Sequence, residues 1–108
     1  MFARNVTVHL KSNMLSEYGH VFENQILPLL RKQTGFKDEI TFANSNGVDI
    51  TAISLWDTKR DAEAYNTNTY PEVVKICSNV VDGTPRVQTY EVFNSTFHKI
   101  TAAVPVPA

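Results

Sequence analysis

Apolar and polar side chains alternate one by one near the start of the chain, between residues 2 and 11. Val6, Val8 and Leu10 share one side of this pattern, and polar residues such as Asn5 and His9 share the other. A period of two with β-branched residues is typical of a half-buried strand. The next apolar residues recur every three or four positions, which predicts one face of a helix. They are Leu15, Tyr18, Phe22, Ile26, Leu29 and Leu30.

Pro28 interrupts this helical pattern. Proline has no backbone N–H, and its ring clashes with the carbonyl one turn earlier, so we expect a kink near Asn24 and Gln25. Gly35 fits the end of the helix, because glycine adopts left-handed backbone angles without a steric penalty.

The rest of the pattern predicts three more strands and two more helices. Asn46-Gly47 is a strong hairpin signal between two of the strands. Thr58 is a suitable cap for the first of the helices, and residues 82–85 have the composition of a turn before the last strand. The strands are 39–44, 48–56 and 86–97, and the helices are 59–65 and 71–81.

This order, β-α-β-β-α-β, predicts an α+β ferredoxin-like domain over residues 2–98, with one antiparallel sheet and helices on one face. Residues 99–108 are expected to form an extended tail. Several strands carry apolar residues on both faces, so the face without helices needs a cover. Two identical sheets that meet face to face about a two-fold axis would supply it, which predicts a homodimer.

Composition excludes several classes of protein. The 10 Lys and Arg residues are balanced by 11 Asp and Glu, and no basic stripe is present, which argues against nucleic-acid binding. No apolar run approaches the roughly 20 residues that a membrane-spanning helix needs. The single cysteine, Cys77, cannot form an internal disulfide, which suits a reducing compartment. A cytoplasmic protein is expected.

Three pieces of the chain resemble the antibiotic biosynthesis monooxygenase-like superfamily of dimeric α/β barrels. They are residues 28–30 leading to Gly35-Phe36, the Leu55-Trp56 strand end, and the helix entry 57–65. The resemblance covers about residues 2–98. It implies a homodimer with a small-molecule pocket in each subunit, between sheet and helices. Members include cofactor-free quinone-forming monooxygenases, haem-degrading monooxygenases and proteins of unknown function, and fold alone does not choose among them.

The haem-degrading branch relies on an Asn, a Trp and a His, according to the same resemblance. Asn5 lies near the position of the Asn. Tyr65 stands where that branch has its Trp, and Lys75 stands where it has its His. Protonated lysine is a poor iron ligand. We therefore expect no haem, and no other cofactor.

Pocket-lining residues are expected among the aromatic side chains, with Trp56, Tyr65 and Phe22 as the candidates. The alternative for Trp56 is a core residue that packs the helices on the sheet, since aromatic side chains dominate core energetics. The alternative for each tyrosine is an amphipathic residue at the boundary of the core.

His9 and Asn5 are the candidate catalytic residues, because both belong to the first strand and His9 could act as an acid or base. The histidines lack the HxH or HxxxH spacing of metal ligands, so no metal site is expected. Cys77 has no activating basic neighbour and fits a small buried hydrophobe.

The sequence thus favours a small homodimeric, cofactor-independent monooxygenase that acts on an aromatic or quinol-like compound. The alternative from another class is a non-catalytic small-molecule-binding or stress-related dimer. An isomerase or lyase use of the same pocket is a third possibility.

Overall fold

The computed structural model describes residues 1–98 and residue 100. Apart from Ile100, the tail expected at 99–108 lies outside the described residues. The strands are β1 Phe2–Leu10, β2 Phe36–Ala43, β3 Asp49–Trp56 and β4 Val81–Glu91. The helices are α1 Leu15–Val21, α2 Leu27–Arg31, α3 Lys59–Asn68 and α4 Tyr70–Cys77, with a π-helical turn Phe22–Ile26 between α1 and α2.

The four strands form one antiparallel sheet in the order β2-β3-β1-β4. The first and third strands in the sequence therefore lie at the centre, and the helices that follow β1 and β3 pack on one face. This is the ferredoxin-like arrangement, so the expected fold class is confirmed.

The π-helical turn lies where the sequence predicts a kink. The Leu27 N–H donates to the Phe22 carbonyl, five residues earlier, instead of four. Pro28 cannot donate to the carbonyl of Asn24, so the helix widens by one residue before it resumes as α2. Phe22 and Ile26, at the two ends of this turn, both face the interior of the domain.

The last strand differs from its prediction, because it spans Val81–Glu91 rather than 86–97. The predicted turn at 82–85 is part of the strand. Gly83 has φ +80°, and the register shifts here by a β-bulge. β4 is an edge strand, and a bulge on an edge accommodates both this glycine and Pro85 without breaking the sheet.

Other boundaries shift by a few residues. β2 begins at Phe36 instead of residue 39, and its register with β3 slips between Phe36 and Asp38. α3 continues to Asn68, past its predicted end, and α4 ends at Cys77, before residue 81.

The core lies between the sheet and the helices. Trp56 is fully buried, and its ring lies 4.9 Å from Tyr65 and 5.6 Å from Phe36, centroid to centroid. Leu10, Ile26 and Ile50 are large aliphatic side chains of this core, and each is at most 2% exposed. The sheet face toward the helices is called the inner face.

The opposite face, called the outer face, carries large apolar side chains that are exposed to solvent. Ile40, Phe42 and Tyr90 are 48%, 52% and 50% exposed. The chain that leaves β4 reaches the far edge of this face, where the His98 imidazole contacts the Asp38 carboxylate on β2. Only one end of the outer face is therefore crossed by the described part of the chain.

Candidate functional site

A cavity of about 60 Å³ lies between the inner face of the sheet and the helices. At about 10–15 Å³ for each water, this is room for roughly four to six waters, a size that suits one substituted ring better than a fused polycycle. Most of its wall is apolar or aromatic. The aromatic lining residues are Tyr18, Phe22, Tyr65 and Tyr70, and the charged ones are Arg4 and Glu39.

The two charged residues belong to one row across the sheet. Glu39 on β2 lies directly opposite Ser54 on β3, and Ser54 lies directly opposite Arg4 on β1. Neighbouring strands are about 4.8 Å apart, so the backbones of Glu39 and Arg4 are separated by about 10 Å. The small side chain of Ser54 leaves the space between them open. The cavity therefore has an acidic end and a basic end.

Arg4 is only 2% exposed although its side chain is charged. Its Nη2 donates a 2.9 Å hydrogen bond to Oδ1 of Asn66 on α3. The guanidinium carbon lies 5.0 Å from the Tyr65 ring centre and 4.5 Å from that of Tyr70, in cation–π range. Within residues 1–98 and 100, no carboxylate comes within 4.0 Å of it.

Burial lowers the pKa of the Arg4 guanidinium, and the neighbouring tyrosines oppose that shift. Arginine nevertheless stays protonated in proteins, so a positive charge is held at this end of the cavity. In the two tyrosines next to this guanidinium, burial raises the pKa of Tyr65 to about 12 and also raises the pKa of Tyr70. The Tyr70 hydroxyl is buried and finds no hydrogen-bond partner among the residues that the structure describes.

Glu39 is partly buried on the cavity wall. Burial raises the pKa of its carboxyl, and a hydrogen bond from the Thr41 hydroxyl works in the opposite direction. A raised pKa makes the carboxylate a stronger base than an exposed glutamate.

The other titratable groups that line the cavity keep their protons at neutral pH. Burial raises the pKa of Cys77 to about 11 and raises that of Tyr18 well above its usual range. With Tyr65 and Tyr70 in the same state, Glu39 is the group of the described lining that can accept a proton.

The residues singled out from the sequence as pocket-lining are divided by the structure. Tyr65 and Phe22 lie on the cavity wall. Trp56 lies behind the wall, in the core, where its indole N–H donates to the Ser54 hydroxyl at 2.9 Å. Trp56 therefore packs against the cavity-lining residues Ser54 and Tyr65 and does not itself line the cavity.

The candidate catalytic residues of β1, Asn5 and His9, lie on the outer face, since strand residues alternate between faces and Arg4 points inward. The Asn5 Oδ1 is buried and finds no hydrogen-bond partner within the described residues. His9 is half exposed, and its Nδ1 lies 2.8 Å from the Asp49 carboxylate. Neither side chain is part of the cavity.

Arg4 and Glu39 did not stand out in the sequence. For Arg4 the signal was present, because it is in phase with Val6 and Val8 on the apolar side of the first strand. A charged residue in that phase is a candidate for a buried polar role. For Glu39 no such signal existed, since its face depends on the register slip near Asp38.

Two negative findings apply to residues 1–98 and 100. No three His, Cys, Asp or Glu side chains come close enough together to hold a metal ion. None of the helices has the length and apolar character that crossing a membrane requires.

Solved structures share this fold at low sequence identity. SnoaB, a cofactor-independent oxygenase from Streptomyces nogalater, matches with a TM-score of 0.71 and 11% identity, over 88% of this chain and 95% of its own. The monooxygenase of the ActVA-Orf6 gene of Streptomyces coelicolor, solved with nanaomycin D, matches with a TM-score of 0.71 and 12% identity. The match covers 99% of this chain and 92% of that protein. A structure described as an antibiotic biosynthesis monooxygenase matches with a TM-score of 0.68 and 10% identity, over 85% of this chain and 98% of its own.

At these identities the likeness establishes the fold, and it confirms at that level the resemblance noted in the sequence. No family profile matches the chain, and no curated protein matches it by sequence. Function therefore has to be argued from the cavity itself.

Proposed function

We propose that the cavity binds a small electron-rich phenol or hydroquinone and oxygenates it without a metal or an organic cofactor. The observation that carries the proposal is the pairing of Glu39, a partly buried base, with a cavity lined by aromatic and apolar side chains. Proteins of the same fold described as a cofactor-independent oxygenase and as a monooxygenase support it.

Glu39 is the proposed general base. It removes the proton of the substrate hydroxyl, and the resulting phenolate is rich enough in electrons to react with O₂ directly. The aromatic side chains hold the ring flat and exclude water, which protects the reactive anion from competing reactions. Tyr18, Tyr65 and Tyr70 remain neutral and serve as donors or packing surfaces.

The reaction balances without another reductant. One oxygen atom of O₂ forms a bond to a ring carbon ortho or para to the hydroxyl. The O–O bond then breaks, and the second oxygen leaves as water with two hydrogens from the substrate. Hydroquinone and O₂ would thus give hydroxybenzoquinone and one water. The substrate supplies all four electrons.

A homodimer is part of the proposal. Ile40 and Phe42 on β2 and Tyr90 on β4 are large apolar side chains exposed on the outer face, and packing this face against a second copy would remove them from water. A cytoplasmic location stays a prediction, which the single thiol of Cys77 supports.

The test is oxygen uptake by purified, metal-free protein with hydroquinone as the substrate, under ¹⁸O₂. The proposal expects one ¹⁸O atom in hydroxybenzoquinone and one in water. Glu39→Gln should reduce kcat/KM by about 10²- to 10⁴-fold, the range that general-base catalysis supplies. Ser45→Gln, in the exposed hairpin turn, is the matched control and should leave the rate unchanged.

Two results would contradict the oxygenase. One is hydroquinone binding without oxygen consumption, which would favour the non-catalytic binding protein. The other is formation of unlabelled benzoquinone and hydrogen peroxide, which would show oxidation without oxygen transfer.

A further inference from the structure

The Arg4 guanidinium is a buried charge whose partner is missing from the described protein. Buried charges are normally paired, because taking an ion out of water is costly. Cation–π contacts with two tyrosines and one hydrogen bond to Asn66 offset part of that cost. Five N–H donors are available on a guanidinium; Asn66 accepts from one at 2.9 Å, and the Tyr65 hydroxyl is a second hydrogen-bonding neighbour. These two partners leave other N–H donors of Arg4, which lines the cavity, available to a ligand.

A second unused donor lies beside the first. The Tyr70 hydroxyl is buried without a hydrogen-bond partner in the described part of the chain, and the Tyr70 ring is 4.5 Å from the Arg4 guanidinium carbon. Both residues line the same cavity. A planar guanidinium next to a phenolic O–H is suited to a carboxylate, which can accept from both.

The positions of Glu39, Ser54 and Arg4 across the sheet determine the orientation of such a ligand. Glu39, at the other end, repels a carboxylate and accepts a proton, so the anionic group binds at Arg4 and the hydroxyl at Glu39. Their backbones are about 10 Å apart, which leaves room for one ring above Ser54.

We propose that the substrate is a hydroxyaryl carboxylate, with Arg4 and Tyr70 as the residues that select its carboxylate. The inference rests on the proposed function in taking this cavity as the substrate site.

Arg4 also borders a second groove, although its side chain is almost fully buried. This groove, of about 230 Å³, lies between α3 and β4 and is also lined by Asn66 and Thr89. Arg4 therefore lies between the cavity and this groove, which is also lined by Glu63.

The test compares 4-hydroxybenzoate with 4-hydroxybenzamide by isothermal titration calorimetry on the full-length protein. The two probes have similar shape and differ in charge. We expect the acid to bind roughly 10- to 100-fold more tightly, the range of a hydrogen-bonded contact to a charged group. This comparison needs no variant.

Variants then assign the preference to residues. Arg4→Met should abolish it, and Tyr70→Phe should reduce it by several fold. Arg86→Met removes the same charge from the outer side of β4 and should leave the preference intact. If Arg4→Met does not fold, Arg4→Lys keeps the charge but loses the planar fork, and the acid should then bind more weakly while the amide is unaffected.

Equal binding of the two probes by the wild-type protein would overturn the inference, as would a carboxylate preference that survives Arg4→Met. The proposed function fails separately. Oxygen transfer to hydroquinone without any carboxylate preference would retain the oxygenase and discard this inference. A carboxylate preference in a protein that consumes no oxygen would retain this inference and discard the oxygenase.

Discussion

The two faces of the sheet are built from the same four strands but have opposite character. The inner face holds the fully buried Trp56 and the two charged residues Arg4 and Glu39 around a cavity. The outer face exposes Ile40 and Phe42, and among residues 1–98 and 100 it holds no charged residue as deeply buried as Arg4. Charge is buried where a ligand can bind, and apolar surface is exposed where a second protein surface can pack. The predictions below test this division.

The largest expected effect concerns the core beneath the cavity. Trp56→Ala should lower the free energy of unfolding by about 3–5 kcal/mol, because a fully buried indole is replaced by a void. Chemical denaturation at a protein concentration where the chain is monomeric measures it. Phe42→Ala, on the outer face, is the comparison and should cost under about 1 kcal/mol in the monomer. Equal losses would remove the distinction between the faces.

The next effect is on association. Phe42→Asp places a charge within the proposed dimer contact and should weaken dimerisation by about 2 kcal/mol or more, roughly 30-fold in Kd. Analytical ultracentrifugation measures it, with Ser45→Asp in the hairpin turn as the charge-matched control. A wild-type protein that sediments as a single chain at micromolar concentration would disprove the dimer.

A smaller effect follows from the pKa of Glu39, which folding raises. A raised pKa means that the folded protein prefers the protonated carboxyl, so ionisation destabilises it above the unfolded pKa of about 4.3. Glu39→Gln should therefore be more stable than the wild type near pH 7 and should lose that advantage as the pH falls toward 4. The pH dependence of the melting temperature tests this. A variant that is less stable at pH 7 would show that Glu39 is a structural residue.

The smallest effect is on the outer face, at the exposed pair of His9 and Asp49. Hydrogen bonds from His9 and Asn46 lower the pKa of the Asp49 carboxyl. The ionised Asp49 carboxylate therefore stabilises the folded protein above the ordinary aspartate pKa of about 3.9. This stabilisation is lost as the pH falls through the lowered pKa of Asp49. Asp49→Asn should reduce the melting temperature slightly at pH 7 and not at about pH 2. A large loss at pH 7 would contradict the assignment of this pair to solvent.

The fold was largely predictable because its signals are local. Alternation in β1, helical spacing up to Pro28 and the Asn-Gly hairpin each depend on a few neighbouring residues. The errors lie where tertiary context decides. β4 was misplaced because Gly83 and Pro85 indicate a turn in isolation, while an edge strand with a bulge tolerates both.

The site was less predictable, because it depends on register between distant strands. The row of Glu39, Ser54 and Arg4 exists only after three strands have paired. The alternation in β1 places Asn5 and His9 on the face opposite the apolar side, away from the cavity. A charged residue in the apolar phase was the better indicator of a site.

The most direct test of the account is a crystal structure of the protein with 4-hydroxybenzoate. One ligand is expected in the cavity between the inner face and the helices. Its carboxylate should lie within hydrogen-bond distance of the Arg4 guanidinium and the Tyr70 hydroxyl, with its own hydroxyl toward Glu39. A ligand bound on the outer face, or one whose carboxylate points away from Arg4, would contradict it.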